Sequence, residues 1–280
     1  MNPNRIRIVT TQITRAVMLI FAAAQAQNAL GRTPSTPHLD RGECVLLLPL
    51  DAETPYVTDP DECAVPTAPA STFKIPHALI VLDTGVVSDP LERVARDGAK
   101  QPFPTWERDH SLDSAMKSSV VWFFQRTAAL IGRERMKQSL TELGYAQDTF
   151  EDDVTSFWLN GDLVVSPDEQ LRFLHRLVRY ELPVDRRIID AVKAAFTMPP
   201  GKITNAAGVH DFGLTWPRLR VLRAKTGYTR VGDERVSWIV GHIETDARQF
   251  VFVSRVRAQE DIPPTASIDL ALRVLNARRP

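Results

Sequence analysis

The sequence predicts an α+β fold, in which an antiparallel sheet flanked by helices carries an all-helical lobe inserted between its strands. β-rich stretches occur near both ends of the chain, helical spacing dominates the middle, and a last helix closes the sequence. The 280 residues, 44% hydrophobic and 24% charged, suffice for one domain with a single core. The 34 basic and 34 acidic residues leave no positive excess for binding nucleic acid.

The first 26 residues have the layout of a secretory signal peptide. Three arginines and no acid accompany an apolar core at residues 16–24, which ends in the small-x-small string Ala24-Gln25-Ala26. This core is too short to span a bilayer. We therefore expect cleavage, a single domain over residues 27–280 with the helical lobe at roughly residues 85–200, and secretion to the periplasm. A frayed amphipathic tail and an uncleaved anchor remain alternatives.

The first strand is predicted at residues 44–48, followed by a turn at residues 51–54 and a returning strand at residues 56–58. The only two cysteines, Cys44 and Cys63, flank this hairpin. In an oxidising compartment the two thiols can form a disulfide. Two unpaired, buried thiols are an equally open alternative, because bond geometry cannot be derived from sequence.

Helical signals follow. Residues 111–130 predict one continuous helix, with four inward-facing candidates on it. Ser166 and Glu169 form a capping box around Pro167, and apolar residues continue one face of the helix that it opens. The inward candidates are Ala115, Val120, Val121 and Phe124 on the first helix, and Leu171, Leu174 and Val178 on the second.

Three β-rich stretches lie close together late in the chain, at residues 220–225, 236–243 and 250–256. Their short spacing is typical of an antiparallel meander. Pro263-Pro264 then opens a final helix that runs through Ile268, Leu272 and Leu275.

The histidines do not predict a metal site. None has a second histidine or a cysteine at metal-ligand spacing, so each is expected to pack or to face solvent. The sequence also lacks a Walker phosphate loop, a Gly-x-Gly-x-x-Gly string and a Gly-x-Ser-x-Gly elbow. The six are His38, His77, His110, His175, His210 and His242.

The string STFK places Ser71 and Lys74 three residues apart, on one face of a predicted helix. If Lys74 is buried, desolvation favours its neutral form, and a neutral amine can act as base for the serine hydroxyl. Ser71 is expected at a helix N-terminus, where backbone N–H groups favour a developing oxyanion. A second Ser-x-x-Lys, Ser114 to Lys117, lies inside the predicted helix and is expected to be an ordinary surface.

Two further motifs follow in order, Ser119-Val120-Val121 and Lys225-Thr226-Gly227. This order resembles the serine penicillin-recognising enzymes. The strings PASTFKIPHALI at residues 69–80, WERDH at residues 106–110 and SFWL at residues 156–159 resemble the class D β-lactamases, or oxacillinases. The resemblance runs from about Cys44 to the last helix and implies a β-lactamase/transpeptidase-like fold.

The resemblance also implies a mechanism. Val121 stands where class A enzymes have Asn, and Ser156 stands where they have the glutamate that activates water, so another base is required. In class D that base is the lysine after reaction with carbon dioxide or bicarbonate, here Lys74 as N6-carboxylysine, which would act as general base in both acylation and deacylation. No other cofactor and no metal is implied. Trp158 would donate its indole N–H to the new anion, and Ser119 would pass a proton to the leaving nitrogen.

For the substrate, the resemblance implies a small-molecule β-lactam. Lys225, Thr226 and Gly227 would hold its carboxylate, and the backbone N–H groups of Ser71 and Tyr228 would form the oxyanion hole. Apolar walls are expected around Lys74, and Trp106 is expected either at the cleft mouth or in surface packing. The sequence sets no oligomeric state. The expected wall residues are Phe73, Val121, Trp158 and Leu159.

The chain departs from the family in two places. Class D enzymes usually have Tyr-Gly-Asn where this chain has Tyr145-Ala146-Gln147, and many carry a carboxylate-binding arginine that residues 262–267 lack. Three arginines near this region are expected to be solvated on the surface, and none is assigned the missing role. They are Arg230, Arg255 and Arg257.

Two other functions are considered. A penicillin-binding sensor would be acylated at Ser71 without turnover, but such domains normally end a membrane protein with several helices, whereas this chain has only a signal-like segment. A D-alanyl transpeptidase or carboxypeptidase is disfavoured, because that class prefers Asn at the position of Val121.

Overall fold

The computed structural model describes residues 42–146, 150–151 and 153–279. The predicted signal peptide and Gln147 lie outside these ranges. The sheet has five antiparallel strands in the order β2-β1-β7-β6-β5. They are β1 (Glu43–Pro49), β2 (Tyr56–Val57), β5 (Leu219–Val231), β6 (Glu234–Thr245) and β7 (Gln249–Ala258), and a separate hairpin consists of β3 (Lys202–Asn205) and β4 (Gly208–Asp211).

Nine α-helices lie in the described residues. They are α1 (Pro60–Ala64), α2 (Lys74–Asp83), α3 (Leu112–Lys117), α4 (Val121–Ile131), α5 (Arg133–Leu143), α6 (Phe157–Asn160), α7 (Pro167–Val178), α8 (Arg186–Ala195) and α9 (Ala266–Ala277). The helices α3 to α8 fall between the first two strands and the last three. The predicted α+β class, with helices flanking an antiparallel sheet, is therefore confirmed.

The sheet separates two apolar layers, because successive side chains of a strand point to opposite faces. On β6, Trp238 and Val240 pack into the core shared with the helical lobe, whereas Ile239 and Ile243 pack into a second core. That second core includes Ala271 and other residues of α9. The last helix therefore covers one face of the sheet, and the lobe with α7 covers the other.

The capping box at the start of α7 is confirmed. The Ser166 hydroxyl accepts from the Glu169 amide at 3.2 Å, and the Glu169 carboxylate accepts from the Ser166 amide at 2.8 Å. Pro167 is the first helical residue, where a missing N–H costs nothing. Leu171, Leu174 and Val178 are buried as predicted.

The predicted helix over residues 111–130 is wrong, because it is two helices. α3 ends at Lys117 and α4 begins at Val121, and between them Ser119 adopts φ 53°, a left-handed conformation. A β-carbon makes this conformation costly, so helical spacing alone could not predict the break.

The third strand from the end is longer than predicted. β5 runs to Val231, so the Lys-Thr-Gly motif lies within the strand and not at its end. Residues 224–227 are all buried, so the alternation that marks a half-exposed strand is absent. The sequence also did not predict the β3–β4 hairpin.

A disulfide joins Cys44 on β1 to Cys63 on α1, with a Cα–Cα distance of 5.2 Å. Of the two alternatives that the sequence left open, the structure has the disulfide and not two free thiols. Glu62, next to Cys63, is bound by Arg255 and Arg257 of β7. The short helix α1 is thus held to the sheet by a covalent bond and by an ion-pair cluster.

Candidate active site

Ser71 lies in a 3₁₀ helix, Ala70–Phe73, that leads directly into α2. The turn is strained at its first residue, since Ala70 is fully buried and has φ 49°. The Thr72 hydroxyl donates to the Pro69 carbonyl at 2.6 Å, and Gln170 of α7 donates to that hydroxyl at 2.7 Å. These buried hydrogen bonds hold the turn that presents Ser71.

Lys74 begins α2 and is completely buried. Its Nζ donates to Ser71 Oγ at 2.6 Å and lies 5.4 Å from the centre of the Phe124 ring. Burial, aided by the charge of Lys225, holds the pKa of Lys74 well below its usual range. An uncharged amine at this distance can accept the serine proton, so the pair has the geometry of a nucleophile and its base.

Aromatic rings enclose the lysine. Trp158 of α6 stacks on Phe73 with ring centroids 5.4 Å apart, and His77 meets Trp158 edge-on at 5.6 Å. Phe124 and Phe157 pack against the same group. All these side chains are fully buried. The expected apolar wall is therefore present for Phe73 and Trp158, while Leu159 and Val121 are only partly buried at its edge.

The indole nitrogen of Trp158 is buried and has no hydrogen-bond partner. An orphaned donor of this kind costs free energy unless it meets an acceptor. Trp158 stacks on Phe73, the residue before the fully buried Lys74, so an anionic group on this lysine would meet a free donor in buried surroundings. This is the fit that an N6-carboxylysine requires.

His77 is a residue of this enclosure that sequence reasoning treated as ordinary. Desolvation, together with the charge of Lys74, lowers its pKa to about 3, so the ring is neutral. One nitrogen lies 3.3 Å from the Thr127 hydroxyl, and the other has no partner. Its position three residues after Lys74, on the same helix face, was the signal that could have revealed it.

Ser119 occupies the left-handed break between α3 and α4. Trp106 supports this loop, because its indole N–H donates to the Ser118 carbonyl at 2.8 Å. Trp106 is 4% exposed and packs on Phe103, so its expected place in surface packing is wrong. The expectation that Trp106 lines the cleft mouth stays a prediction.

Lys225 of β5 reaches the same place from the sheet. Its Nζ donates to Ser119 Oγ and to the Thr226 carbonyl, both at 2.9 Å. Burial alone lowers the pKa of Lys225 to about 7. The structure therefore brings together two serine–lysine pairs, Ser71 with Lys74 and Ser119 with Lys225.

Gly227 lets β5 approach the nucleophile. A β-carbon at this position would lie 3.1 Å from the Pro69 carbonyl oxygen and 3.2 Å from the Ser71 amide nitrogen. Thr226 is buried beside it, and the Tyr228 hydroxyl donates to the Ile262 carbonyl at 3.2 Å. The Ser71 amide is therefore next to the strand that would carry the other oxyanion donor, the Tyr228 amide.

The second Ser-x-x-Lys lies on the surface of α3, as expected. Lys117 is bound to Asp113 at 2.8 Å, and 40% of its side chain is exposed. Its amine thus has an acidic partner and contact with water. Lys74 has neither.

Two of the three arginines are not solvated, which corrects the expectation. Arg255 is fully buried and Arg257 half-buried, and both bind Glu62 on α1. Arg230 is exposed, as expected, and donates to Gly232 and Asp233. In the other departure, Ala146 has φ 65°, a left-handed conformation at the position where the family has Gly.

Among the described residues, no group of three or more His, Cys, Asp or Glu side chains could hold a metal ion. In the same part of the chain, no helix is long and apolar enough to cross a membrane.

Residues 54–271 match the family model of the penicillin-binding-protein transpeptidase domain. The probable β-lactamase YbxI of Bacillus subtilis is 37% identical over 67% of this chain and 64% of its own length. β-Lactamase OXA-48 of Klebsiella pneumoniae is 37% identical over 72% of this chain and 69% of its own. The chain therefore spans just under two thirds of YbxI.

Solved structures give the same fold. A class D β-lactamase YbXI from Nostoc is 30% identical, with a TM-score of 0.74 over 85% of this chain and 93% of its own. The C-terminal domain of the BlaR penicillin receptor of Bacillus licheniformis is 26% identical, with a TM-score of 0.73 over 85% of this chain and 90% of its own.

Proposed function

The chain belongs to the penicillin-binding-protein transpeptidase family and, within it, to the class D β-lactamases; on this premise we propose that it hydrolyses the β-lactam ring of penicillin-type antibiotics. The observation that carries the proposal is the pair of Ser71 and a fully buried Lys74, 2.6 Å apart, whose lysine has a strongly lowered pKa, together with the unpartnered indole N–H of Trp158, whose ring stacks on Phe73. Such an activity confers resistance to these antibiotics.

In the first half of the reaction, Ser71 Oγ attacks the lactam carbonyl carbon while its proton passes to the base at Lys74. The amide N–H of Ser71, with that of Tyr228, would stabilise the negative oxygen that forms. The C–N bond then breaks, and Ser119 supplies a proton to the nitrogen. Lys225, hydrogen-bonded to Ser119, can replace that proton.

In the second half, water attacks the ester on Ser71 and releases the opened ring. Carbon dioxide joined to the amine of Lys74 as a carbamate would supply the general base for this step. Trp158 would hold that group through its indole N–H, and Phe73 and Phe124 would shield it from bulk solvent. The low pKa of Lys74 supports this assignment, because only the neutral amine adds carbon dioxide.

Lys225 also helps to bind the substrate in this proposal. Its charge, with the Thr226 hydroxyl, attracts the carboxylate of the substrate. Arg255 and Arg257 cannot take this part, since their guanidinium groups bind Glu62.

The test is turnover of a chromogenic cephalosporin by the purified protein, with and without added bicarbonate. We expect turnover that Ser71→Ala abolishes, that falls at acid pH and that bicarbonate partly restores. Mass spectrometry after mixing with penicillin separates the enzyme from the sensor. A persistent adduct on Ser71, with no turnover at any bicarbonate concentration, would contradict the hydrolase and support the penicillin-binding sensor.

Export to the periplasm is part of the proposal. The Cys44–Cys63 disulfide supports it, since such bonds persist in oxidising compartments. The signal-peptide layout predicts a mature chain that begins at Gln27. The mass of the protein released by osmotic shock tests this, and an intact residue 1 would contradict it.

A further inference from the structure

One face of β5 contacts three separate segments of the active site. Alternate residues of a strand share a face, and Lys225, Gly227 and Thr229 alternate on β5. Lys225 reaches Ser119, and Gly227 lies against the Ser71 amide. Thr229 has no part in the mechanism above, although its side chain contacts the segment that carries Trp158.

The Thr229 side chain donates a hydrogen bond from its hydroxyl to the Leu159 carbonyl at 2.7 Å. Leu159 directly follows Trp158 in α6, a helix of four residues. So short a helix leaves its own carbonyls without intrahelical donors. Thr229, which is 8% exposed, thus gives the carbonyl of the partly buried Leu159 a partner from the sheet.

A second contact joins the same two elements. A β-carbon at Gly161, the residue after α6, would lie 2.8 Å from Cγ1 of Val231 on β5. The segment therefore rests closely on the strand at one point and is hydrogen-bonded to it at another. The apolar contact fixes the separation, and the directional hydrogen bond fixes the position of α6 along the strand.

The Trp158 ring itself is held by stacking on Phe73 and by contacts to His77 and Phe157, with no hydrogen bond to its nitrogen. Such contacts restrict the ring less sharply in position than a hydrogen bond does. The placement of the indole N–H relative to Lys74 then depends on the backbone of α6.

We propose that Thr229 is a positioning residue, whose hydrogen bond to Leu159 holds the Trp158 indole N–H where the base formed on Lys74 requires it. The inference rests on the proposed function. It connects β5, the strand that would bind the substrate, with deacylation, the step that releases the product from Ser71. Both half-reactions use the base at Lys74, but acylation is also driven by the strain of the four-membered lactam ring, whereas hydrolysis of the ester on Ser71 depends on that base to activate water. Loss of this bond should therefore slow deacylation more than acylation.

The test compares Thr229→Val, which keeps the shape and loses the hydroxyl, with Thr229→Ser, which keeps the hydroxyl. We expect Thr229→Val to slow deacylation by about 10-fold or more, with acylation changed by less than about 3-fold at saturating bicarbonate. The bicarbonate concentration for half-maximal carbamate on Lys74, measured by ¹³C NMR without substrate, should rise several-fold. Thr229→Ser should restore both quantities to within about 2-fold of wild type.

Thr245→Val is the matched control. The Thr245 hydroxyl is also buried on the sheet and donates to a carbonyl, that of Arg248, at 2.9 Å, but Thr245 is the last residue of β6, five residues beyond Val240, which pairs with Lys225. A purely structural role predicts equal losses of thermal stability in the two valine variants and no change in the bicarbonate requirement of either. That result overturns the inference.

Thr229→Ala repeats the test should the valine variant not fold, and wild-type deacylation in either folded variant overturns the inference. Failure of the proposed function is a separate outcome. It appears in the wild-type protein itself, as absent turnover or an absent carbamate signal, whereas failure of this inference leaves wild-type turnover intact and the variants unchanged.

Discussion

Lys225 donates a hydrogen bond to the Ser119 hydroxyl across 2.9 Å, although 106 residues separate the two in sequence. The lysine lies on the sheet, and the serine occupies a left-handed turn between two helices of the lobe. This contact joins the two halves of the active site. The buried amine of Lys225 has two neutral partners, the Ser119 hydroxyl and the Thr226 carbonyl. Because burial also lowers its pKa to about 7, the charge of this amine changes near neutral pH.

Binding of an anionic β-lactam should therefore take up a proton above pH 7. Burial lowers the pKa of Lys225 to about 7, so the free enzyme carries this charge below pH 7 and loses it as the pH rises. A bound carboxylate raises the pKa again. In the Ser71→Ala background, calorimetry in buffers of different ionisation enthalpy should show proton uptake at pH 8 and almost none at pH 5.5. Uptake that persists after Lys225→Met would contradict this assignment.

Lys225 should also make the free energy of unfolding increase with pH. The unfolded chain holds the Lys225 proton up to pH 10.5, whereas the folded chain releases it near pH 7. Between these values the unfolded state binds more protons, so the contribution of Lys225 makes the folded state more stable as pH rises. Urea unfolding of wild type and Lys225→Met at pH 7 and pH 9.5 should show a larger gain for wild type.

Trp158→Phe should trap the acyl-enzyme. The substitution keeps an aromatic ring against Phe73 and removes the only hydrogen-bond donor of the side chain. Loss of a positioned general base slows proton transfer by roughly 10²-fold or more, so an adduct on Ser71 should persist in mass spectra. Trp216→Phe is the control, because Trp216 donates to the Leu275 carbonyl at 2.7 Å beneath α9. It should lower stability without slowing deacylation.

Gly227→Ala should impair acylation by moving β5 away from the nucleophile. The added carbon meets the Pro69 carbonyl and the Ser71 amide at 3.1 and 3.2 Å, so a shift of tenths of an ångström follows in the oxyanion donors. We expect a loss of about 10-fold or more in kcat/KM. Gly213→Ala, whose new carbon meets nothing within 4 Å, should leave kcat/KM unchanged. Equal values for the two variants would refute the close approach.

Lys117→Ala should be nearly silent, although Lys117 ends a Ser-x-x-Lys string. The amine is exposed and paired with Asp113 one helical turn earlier, an interaction worth about 0.5 kcal/mol or less. Lys74→Ala should abolish turnover of the same cephalosporin. The contrast tests whether burial, and not the motif spacing, confers activity.

Removing the disulfide should lower the free energy of unfolding by about 3 kcal/mol, the loop-closure value for a separation of 19 residues. The measurement is urea unfolding of Cys44→Ala/Cys63→Ala against wild type, with and without reductant. The Glu62–Arg255 pair should keep α1 on the sheet in the variant. The free energy of unfolding of the reduced wild-type protein should equal that of the variant. A difference would show that the alanine substitutions change stability by themselves, apart from the loss of the disulfide.

Several local features could be predicted from sequence. The capping box of α7, the final helix and the placement of Ser71 and Lys74 on adjoining turns depend on spacings of three or four residues. Helix geometry fixes what such spacings bring together. The order of motifs along the chain also identified the family.

The break at Ser119 could not be predicted in this way. Residues 111–130 have continuous helical spacing, whereas the left-handed Ser119 has its hydrogen-bond partner, Lys225, on a strand 106 residues away in sequence. The full length of β5 was missed for a related reason. The nucleophile turn and the sheet bury both sides of residues 224–227, so no alternation marks them as a strand.

The sequence by itself determined which groups could react, since Ser71 and Lys74 share a helix face at fixed spacing wherever the helix lies. The tertiary structure alone decided that the pKa of this lysine is lowered, because the burial that desolvates it depends on side chains brought together from separate helices, such as Phe124 of α4 and Trp158 of α6. Lys117 has the same spacing and lies at the surface. Spacing is a property of one helix, whereas a dry environment is a property of the whole core.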